Sequence, residues 1–329
     1  CHPLRHPAAA SPIKPPDYRP GREHMQAPAQ CGNLARPKRE QAANALHPPP
    51  DKTRFIHALR PFSLVVAVAT CGLGVLLGLR ERAADPALAV AVVAAGVLLQ
   101  AAVNLVNDHA DRHSPAFSAA QRRAIGRNTR LGAGAFILAG LFGLYLVWLR
   151  GWPMLALEVV GLAGALGYTG HPVNYKARGL GVPLVFLFMG VLLVGGAYYA
   201  VSGRYHAGVF WLSLPFSLFA SLLLLSNELR DYEADLAEGL RTLTVRIGYE
   251  RAARLYRGLI LLLAAVTVAL GATGLLACAV LPLLSLLCLL PPLRLLGRGP
   301  AERRALAPAT GRGFFAYGCT LLAALWIEQ

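Results

Sequence analysis

Residues 208–235 read GVFWLSLPFSLFASLLLLSNELRDYEAD, an apolar run that passes directly into a cluster of acids with one arginine. A bilayer core of about 30 Å needs roughly 20 apolar residues in a helix, and this run is of that length. The whole chain has the same character, because 55% of its 329 residues are hydrophobic, only 15% are charged and its mean hydropathy is positive. We therefore predict an all-α integral membrane protein.

Apolar runs of comparable length occur at nine places, which predicts nine transmembrane helices. Only Gly271 and Ala272 separate the seventh run from the eighth, so we expect a tight helical hairpin there. The predicted spans are 61–79, 87–106, 132–149, 153–168, 182–201, 208–226, 255–270, 273–290 and 313–327.

Lys and Arg are distributed unevenly between the loops. Residues 52–60 before the first span and every second loop, taken with its flanking helix ends, hold 21 of them, whereas the intervening loops hold only Arg80, Arg82, Arg150 and Arg204. Cationic loops stay in the cytoplasm, so we predict a cytoplasmic N-terminus, with the acid-rich helix ends on the same side. In a bacterium the membrane would be the cell inner membrane.

The excess of 32 Lys+Arg over 17 Asp+Glu also bears on the partners. No basic segment interleaved with aromatic residues occurs, so we expect no nucleic acid partner. Anionic headgroups of the lipid bilayer or a phosphorylated substrate fit the charge better. The oligomeric state stays open.

Residues 1–54 differ from the remainder because they are rich in Pro, His, Arg and Gln and lack any apolar period. Such a segment cannot bury enough surface to become ordered, so we predict disorder. The chain opens on Cys1 and its first methionine is Met25, and we expect part of this segment to be a fragment or an upstream reading artefact. The membrane domain is then 55–329.

Two predicted spans end in acid-rich segments, NLVNDHADR at 104–112 and NELRDYEAD at 227–235. Carboxylates stacked on one helical face repel each other unless a cation intervenes, and oxygen ligands of this kind suit Mg²⁺. The alternative is solvated helix caps or partners for nearby arginines. The residues that share a face are Asn104, Asp108 and Asp111, with Asn107 beside them, and Asn227, Asp231 and Asp235.

A third segment follows the fourth span and reads GYTGHPVNYKARGLG at 167–181. Its glycines and its proline break the helix and predict a loop on the side of the acids. Lys176 and Arg178 could bind diphosphate oxygens there. The alternative is that they only anchor a cytoplasmic loop.

At these residues the chain resembles the UbiA superfamily of membrane prenyltransferases. The first family motif, NDxxD, is matched by Asn107, Asp108 and Asp111. The second, NxxRDxxxDxxxGxxTLxVRxG, is matched from Asn227 to Gly248. Within the superfamily, Tyr168-Thr169-Gly170 and Gly179-Leu180-Gly181 are most similar to the 1,4-dihydroxy-2-naphthoate prenyltransferase branch of menaquinone biosynthesis.

The resemblance implies a nine-helix UbiA-type bundle with its active site on the cytoplasmic side. It implies Mg²⁺-dependent transfer of a polyprenyl group from its diphosphate to an aromatic acceptor, with loss of the acceptor's carboxylate when this is 1,4-dihydroxy-2-naphthoate. The metal ligands and catalytic residues would be Asp108, Asp111, Asp231 and Asp235. The substrate-binding residues would be Asn104, Asn107, Asn227, Arg230, Lys176, Arg178, Tyr168 and Arg241.

The chain departs from the family just beyond Asp111, where a further acid is expected and residues 113–117 read HSPAF. Part of the usual Mg²⁺ and diphosphate shell is therefore missing. Glu158, in the middle of the fourth span, is not covered by a family motif. It could be protonated, line the acceptor cavity or pair with a neighbouring helix.

Other functions stay open at this point. The acceptor could be 4-hydroxybenzoate or another ring, and a member without turnover could simply bind prenyl lipids. A cation-coupled membrane transporter would also place acids in a membrane protein. Transport favours acids at mid-membrane and inverted repeats, whereas these acids cluster at one surface and no repeat is evident.

Overall fold

The structure, a computed structural model, describes residues 53–81, 85–109, 117–168, 170 and 172–327. Nearly all of the predicted disordered segment 1–54 lies outside these residues, as does Asp111. The predicted all-α class is confirmed in the described part of the chain. Its helices are α1 (Phe55–Ala58), α2 (Pro61–Glu81), α3 (Pro86–Asn107), α4 (Ala119–Arg150), α5 (Trp152–Gly167), α6 (Gly181–Ser202), α7 (Ala207–Arg230), α8 (Tyr232–Glu238), α9 (Leu243–Ile247), α10 (Tyr249–Ala272), α11 (Val280–Leu295), α12 (Pro300–Arg303) and α13 (Leu306–Ile327).

Six of the helices in the described ranges are long and apolar enough to cross a membrane, namely α2, α3, α4, α6, α7 and α10. The protein is therefore a multi-pass integral membrane protein. Helices also occur in the other three predicted spans, but α5 and α11 are shorter, α11 begins only at Val280, and α13 is not among the six. The count of nine spans thus stays a prediction.

Helix α7 is the centre of the bundle. In its most apolar 18-residue window 78% of the residues are buried, whereas no other candidate span exceeds 50%. The aromatic core forms where α7 meets α13: the ring of Phe219 lies 5.5 Å from that of Phe314 and 5.1 Å from that of Tyr317. This central position holds the acid-rich end of α7 rigidly within the bundle.

Helix α6 packs unusually closely on α7. Residues Phe186–Leu192 form a π-helical stretch within α6. A Cβ atom added at Gly190 would overlap the side chain of Ser217, so a glycine is needed for this approach. Nearby, the hydroxyl of Ser221 donates to the carbonyl of Val182 over 3.0 Å. The contact ties the start of α6, and the loop before it, to the end of α7.

Helix α4 is much longer than a bilayer core is thick. Its 32 residues correspond to about 48 Å, against about 30 Å for the hydrocarbon layer. One exposed stripe runs along it, cationic at the start and apolar afterwards. Its members are Arg123, Arg127, Arg130, Ile137, Leu141 and Trp148.

The contact between α4 and α3 fixes the level of this change from cationic to apolar. A Cβ atom added at Gly132 would lie 2.8 Å from Cβ of Leu105, so the two helices nearly touch there. Asp108 follows Leu105 by one turn, and Arg130 precedes Gly132 in the antiparallel helix. Arg130, the last cation of the stripe along the chain, therefore lies at about the level of Asp108, and the apolar part of the stripe follows it.

The expected hairpin between the seventh and eighth spans is wrong in its position. Helix α10 extends to Ala272, and a turn at 273–279 with Gly274 at φ +74° leads into α11 at Val280. Helix α11 itself contains a 3₁₀ turn at Leu286–Leu289, directly before Pro291 and Pro292. Proline has no backbone N–H to donate, so regular α-helical bonding cannot continue through this point.

Candidate active site

The second acid-rich segment lies where α7 ends and α8 begins. Asp231 stands between the two helices with φ −94° and ψ 7°, which breaks the helix. Its carboxylate accepts two hydrogen bonds from Arg230, of 2.7 and 2.6 Å. Asp235 follows one turn later and accepts a hydrogen bond of 3.2 Å from the hydroxyl of Thr242. Arg230, predicted as a substrate contact, is therefore paired with Asp231, as in the alternative in which the acids are partners for nearby arginines.

The electrostatics of this segment indicate an excess of negative charge. The pKa of Asp235 is raised to about 6, mainly by burial and in addition by the nearby carboxylates of Asp231 and Glu228, against the opposing effects of Lys176 and of the hydrogen bond from Thr242. A bound cation would relieve this repulsion. The amide nitrogen of Asn227 donates to the carbonyl of Leu223 over 3.0 Å, and the substrate contact predicted for this residue stays a prediction.

The first acid-rich segment lies at the end of α3. Asp108 caps the helix, is 2% exposed and accepts a 2.7 Å hydrogen bond from Arg60. Arg60 has φ +51°, a left-handed conformation that a non-glycine residue rarely adopts and that often occurs at functional sites. The sequence reasoning assigned Arg60 no role in binding. Its position immediately before a proline at the start of a span is the sequence feature that could have indicated such a role.

Asn104 connects this segment to the start of α2. Its amide nitrogen donates to the carbonyl of Leu59 and to the hydroxyl of Ser63, each over 2.7 Å, while its amide oxygen accepts from Gln100 over 3.0 Å. These contacts give it a structural task in addition to the predicted substrate contact, which stays a prediction. Asn107 ends α3 and is partly buried, and Asp111 lies outside the described residues.

The basic loop 172–180 lies against the second acid-rich segment. The ring of Tyr168 and the carboxylate of Glu228 flank Gly181, each within 4 Å of a Cβ atom added there. The pKa of Tyr168 is raised by burial and by the negative charges of Glu228 and Asp235, while Arg60 opposes the shift. Because Arg60 is bonded to Asp108, Tyr168 lies within electrostatic reach of both acid-rich segments.

Lys176 is the cation that this loop brings to the acids. Its backbone N–H donates to the carbonyl of Tyr168 over 3.1 Å, and its charge lowers the pKa of Asp235. Arg178 is exposed, and its guanidinium donates to the carbonyl of Pro172 over 2.9 Å. Arg241 is also exposed, and its carbonyl accepts from Arg246. Of the predicted cations outside the acid-rich segments, Lys176 is the one that the fold places among the acids.

Two residues that sequence reasoning did not assign hold this assembly together. Glu228, 5% exposed, accepts from the backbone N–H of Thr244 over 3.0 Å and so caps α9. Arg246 of α9 donates to the carbonyl of Ala177 over 3.1 Å, next to Lys176. The second family motif contains Arg246, but its partner lies 69 residues away and cannot be inferred from the pattern.

The donor set fits a hard divalent cation, because it consists of carboxylates and amide oxygens. Within the described residues no three His, Cys, Asp or Glu side chains are close enough to hold a metal ion among themselves. A Mg²⁺ ion at Asp231 and Asp235 would therefore complete its shell with other oxygens, as Mg²⁺ commonly does with substrate phosphates and water. Glu158 does not belong to this site, since its carboxylate lies against Gly143 of α4, about 15 Å along α5 from Tyr168.

Comparison with known proteins agrees with this geometry. The chain is 30% identical over 220 residues to 1,4-dihydroxy-2-naphthoate octaprenyltransferase of Mycobacterium tuberculosis, which covers 63% of this chain and 74% of that protein. It is 27% identical over 209 residues to 2-carboxy-1,4-naphthoquinone phytyltransferase of Synechocystis, with 61% and 68% coverage.

Solved structures show the same fold. The apo structure of a UbiA homologue from Aeropyrum pernix superposes with a TM-score of 0.59 at 22% identity and covers 84% of this chain and 98% of that one. A homologue from Archaeoglobus fulgidus bound to GPP and Mg²⁺ gives 0.56 at 15% identity, with 82% and 99% coverage. Residues 65–326 match the UbiA prenyltransferase family, and this chain therefore belongs to that family of membrane prenyltransferases.

Proposed function

We propose that this protein transfers a polyprenyl group from its diphosphate to 1,4-dihydroxy-2-naphthoate, with loss of the carboxylate, in menaquinone biosynthesis. The observation that carries the proposal is the packing of the loop of Lys176 and Tyr168 against Glu228 at the end of α7, next to the acid pair of Asp231 and Asp235. The Arg60–Asp108 ion pair at the end of α3 supports it. The Mycobacterium relative, named for this acceptor, supports its identity.

Each group has a task that follows from its chemistry. Mg²⁺, when bound by Asp231 and Asp235 and by Asp108 with Asp111, would supply the positive charge that makes diphosphate a good leaving group. Lys176 would bind the diphosphate oxygens and stabilise them as they depart. Arg230 and Arg60 would hold the carboxylates of Asp231 and Asp108 in place. Asn104, Asn107, Asn227, Arg178 and Arg241 stay proposed contacts of the substrates.

The aromatic side chains next to the acids suit the carbon chemistry. The ring of Tyr168 lies 5.2 Å from that of Tyr175 in an edge-to-face arrangement, and Tyr175 in turn stacks at 6.4 Å on Phe188. Such a wall would exclude water, which would otherwise convert an allylic cation to a prenol. The faces of these rings also attract a cation. The aromatic acceptor would then attack the first carbon of the prenyl group.

We further propose nine membrane spans with the site on the cytoplasmic side. The distribution of Lys and Arg supports this orientation. The chain's four tryptophans are all at least half exposed, and all lie at helix ends remote from the acid-rich segments, as in an interfacial aromatic belt. They are Trp148, Trp152, Trp211 and Trp326.

The test is an assay of the protein reconstituted in liposomes, with labelled polyprenyl diphosphates of several lengths and a panel of aromatic acceptors. We expect a prenylated, decarboxylated naphthalene-1,4-diol in the presence of Mg²⁺ and no product after chelation. Product from 4-hydroxybenzoate alone would reassign the acceptor. No product with any acceptor, while a naphthoate prenyltransferase of the same family turns over in parallel, would refute the enzymatic proposal.

A further inference from the structure

The helix break at Asp231 has a partner far away in the sequence. In an unbroken helix the carbonyl of Leu229 would accept the backbone N–H of Glu233, four residues later. At the break, the N–H of Asp231 still bonds to the carbonyl of Asn227, and the next helical bond runs from the N–H of Asp235 to the carbonyl of Asp231. The carbonyl of Leu229 instead accepts a 3.0 Å hydrogen bond from Nη1 of Arg303.

Arg303 is held from three sides. It ends the short helix α12 between α11 and α13, and it is only 3% exposed. Its Nη2 atom forms an ion pair with the carboxylate of Glu233. Its guanidinium carbon lies 4.4 Å from the ring centroid of Tyr249, the first residue of α10. One side chain therefore joins the end of α7, the helix α8 and the start of α10.

The direction of the Glu233 side chain shows which face of α8 Arg303 contacts. Within α8, Glu233 lies two residues before Asp235, so the two side chains project about 200° apart. Arg303 therefore approaches α8 from the face opposite Asp235. It contacts the backbone carbonyl of Leu229 and the carboxylate of Glu233.

We propose that Arg303 is a positioning residue of the acid pair: it fixes the helix break at Asp231 and with it the direction of Asp231 and Asp235. The inference rests on the proposed metal-binding role of these two acids. A planar guanidinium can reach the Leu229 carbonyl and the Glu233 carboxylate at the same time, whereas the single nitrogen of a lysine cannot keep both contacts in this geometry.

The test measures Mn²⁺ binding by electron paramagnetic resonance to the purified full-length chain in detergent, without substrate, and thermal unfolding in parallel. For Arg303→Lys we expect a folded protein whose half-saturating Mn²⁺ concentration rises about 10- to 100-fold, as for other residues that orient metal ligands. The control is Arg298→Lys in the same loop, because Arg298 is 63% exposed and lies 3.9 Å from Glu302. Wild-type affinity in Arg303→Lys would overturn the inference.

A double variant separates positioning from packing. Arg303→Met with Glu233→Leu replaces the buried ion pair by apolar side chains, which often preserves stability. We expect wild-type thermal stability with Mn²⁺ affinity still reduced, because the Leu229 carbonyl has lost its donor. Recovery of both would mean that Arg303 serves packing alone. Absence of Mn²⁺ binding in the wild type, both without and with a prenyl diphosphate, would refute the proposed metal site itself, a result distinct from unchanged binding in the variants.

Discussion

At the residue scale, two acids of the site carry an arginine partner. Asp108 pairs with Arg60 and Asp231 with Arg230. In the second pair both side chains are partly exposed, at 30% and 38%, and such a pair contributes little to stability, whereas the Asp108 carboxylate is buried and depends on Arg60 for its partner charge. Their effect is therefore local, since each arginine fixes the orientation of one carboxylate. Arg60 has a left-handed backbone conformation at this contact with Asp108.

Removal of a proposed metal ligand should abolish turnover without unfolding the protein. For Asp231→Asn and Asp235→Asn we expect kcat to fall more than about 100-fold, because the loss of a ligand worth about 3 kcal/mol corresponds to that factor. Membrane insertion and the melting temperature in detergent should stay unchanged. Near-normal kcat in either variant would remove that residue from the metal site.

Lys176 should act on the diphosphate rather than on the metal. In Lys176→Met we expect KM for the prenyl diphosphate to rise about 10- to 100-fold, the cost of a hydrogen bond to a charged group. KM for the aromatic acceptor should change little. Arg254→Met, an exposed cation of α10, is the control. An equal rise of both KM values would indicate a general distortion of the loop instead.

At the element scale, the close packing of α6 on α7 holds the start of α6, and the loop before it, against the end of α7. Gly190 touches Ser217 midway along α7, and Ser221 bonds to Val182 one turn higher. The π-helical stretch of α6 lies at this contact, and such stretches are common near functional sites. A change in this packing should therefore reach the loop of Tyr168 and Lys176.

Gly190→Ala tests this contact. The new methyl group would overlap Ser217, and overpacking of this kind costs about 1–3 kcal/mol, so we expect a lower melting temperature in detergent and reduced turnover. Gly196→Ala, in the same helix, is the control because no atom lies within 4 Å of its added Cβ. Equal melting temperatures of the two variants would contradict the close packing.

At the scale of the whole molecule, the positions of charges and tryptophans predict the topology. Single cysteines introduced at Arg178 and at Arg204 into a chain without its native cysteines should react from opposite sides of the membrane. A membrane-impermeant maleimide added to inside-out vesicles should label position 178, and added to right-side-out vesicles it should label position 204. Labelling of both positions from one side would exclude the proposed orientation.

Much of this arrangement could be predicted because it is encoded locally. The apolar runs end where α3 and α7 end, and the spacing of Asp231 and Asp235 follows from the helical period. The hairpin after α10 was misplaced because its length depends on how α11 packs. Glu228 and Arg303 were missed because their partners lie 16 and 74 residues away, and no short pattern reports such contacts.

The stripe on α4 has a consequence for how the donor arrives. The stripe changes from cationic to apolar at about the level of Asp108, so in the proposed topology the first acid-rich segment would lie at the depth of the lipid phosphates rather than above them. A prenyl diphosphate in the bilayer already carries its charged head at that depth and its tail in the hydrocarbon. The donor could then reach the site by lateral diffusion in two dimensions. Its supply would follow its surface density in the leaflet, not its concentration in water.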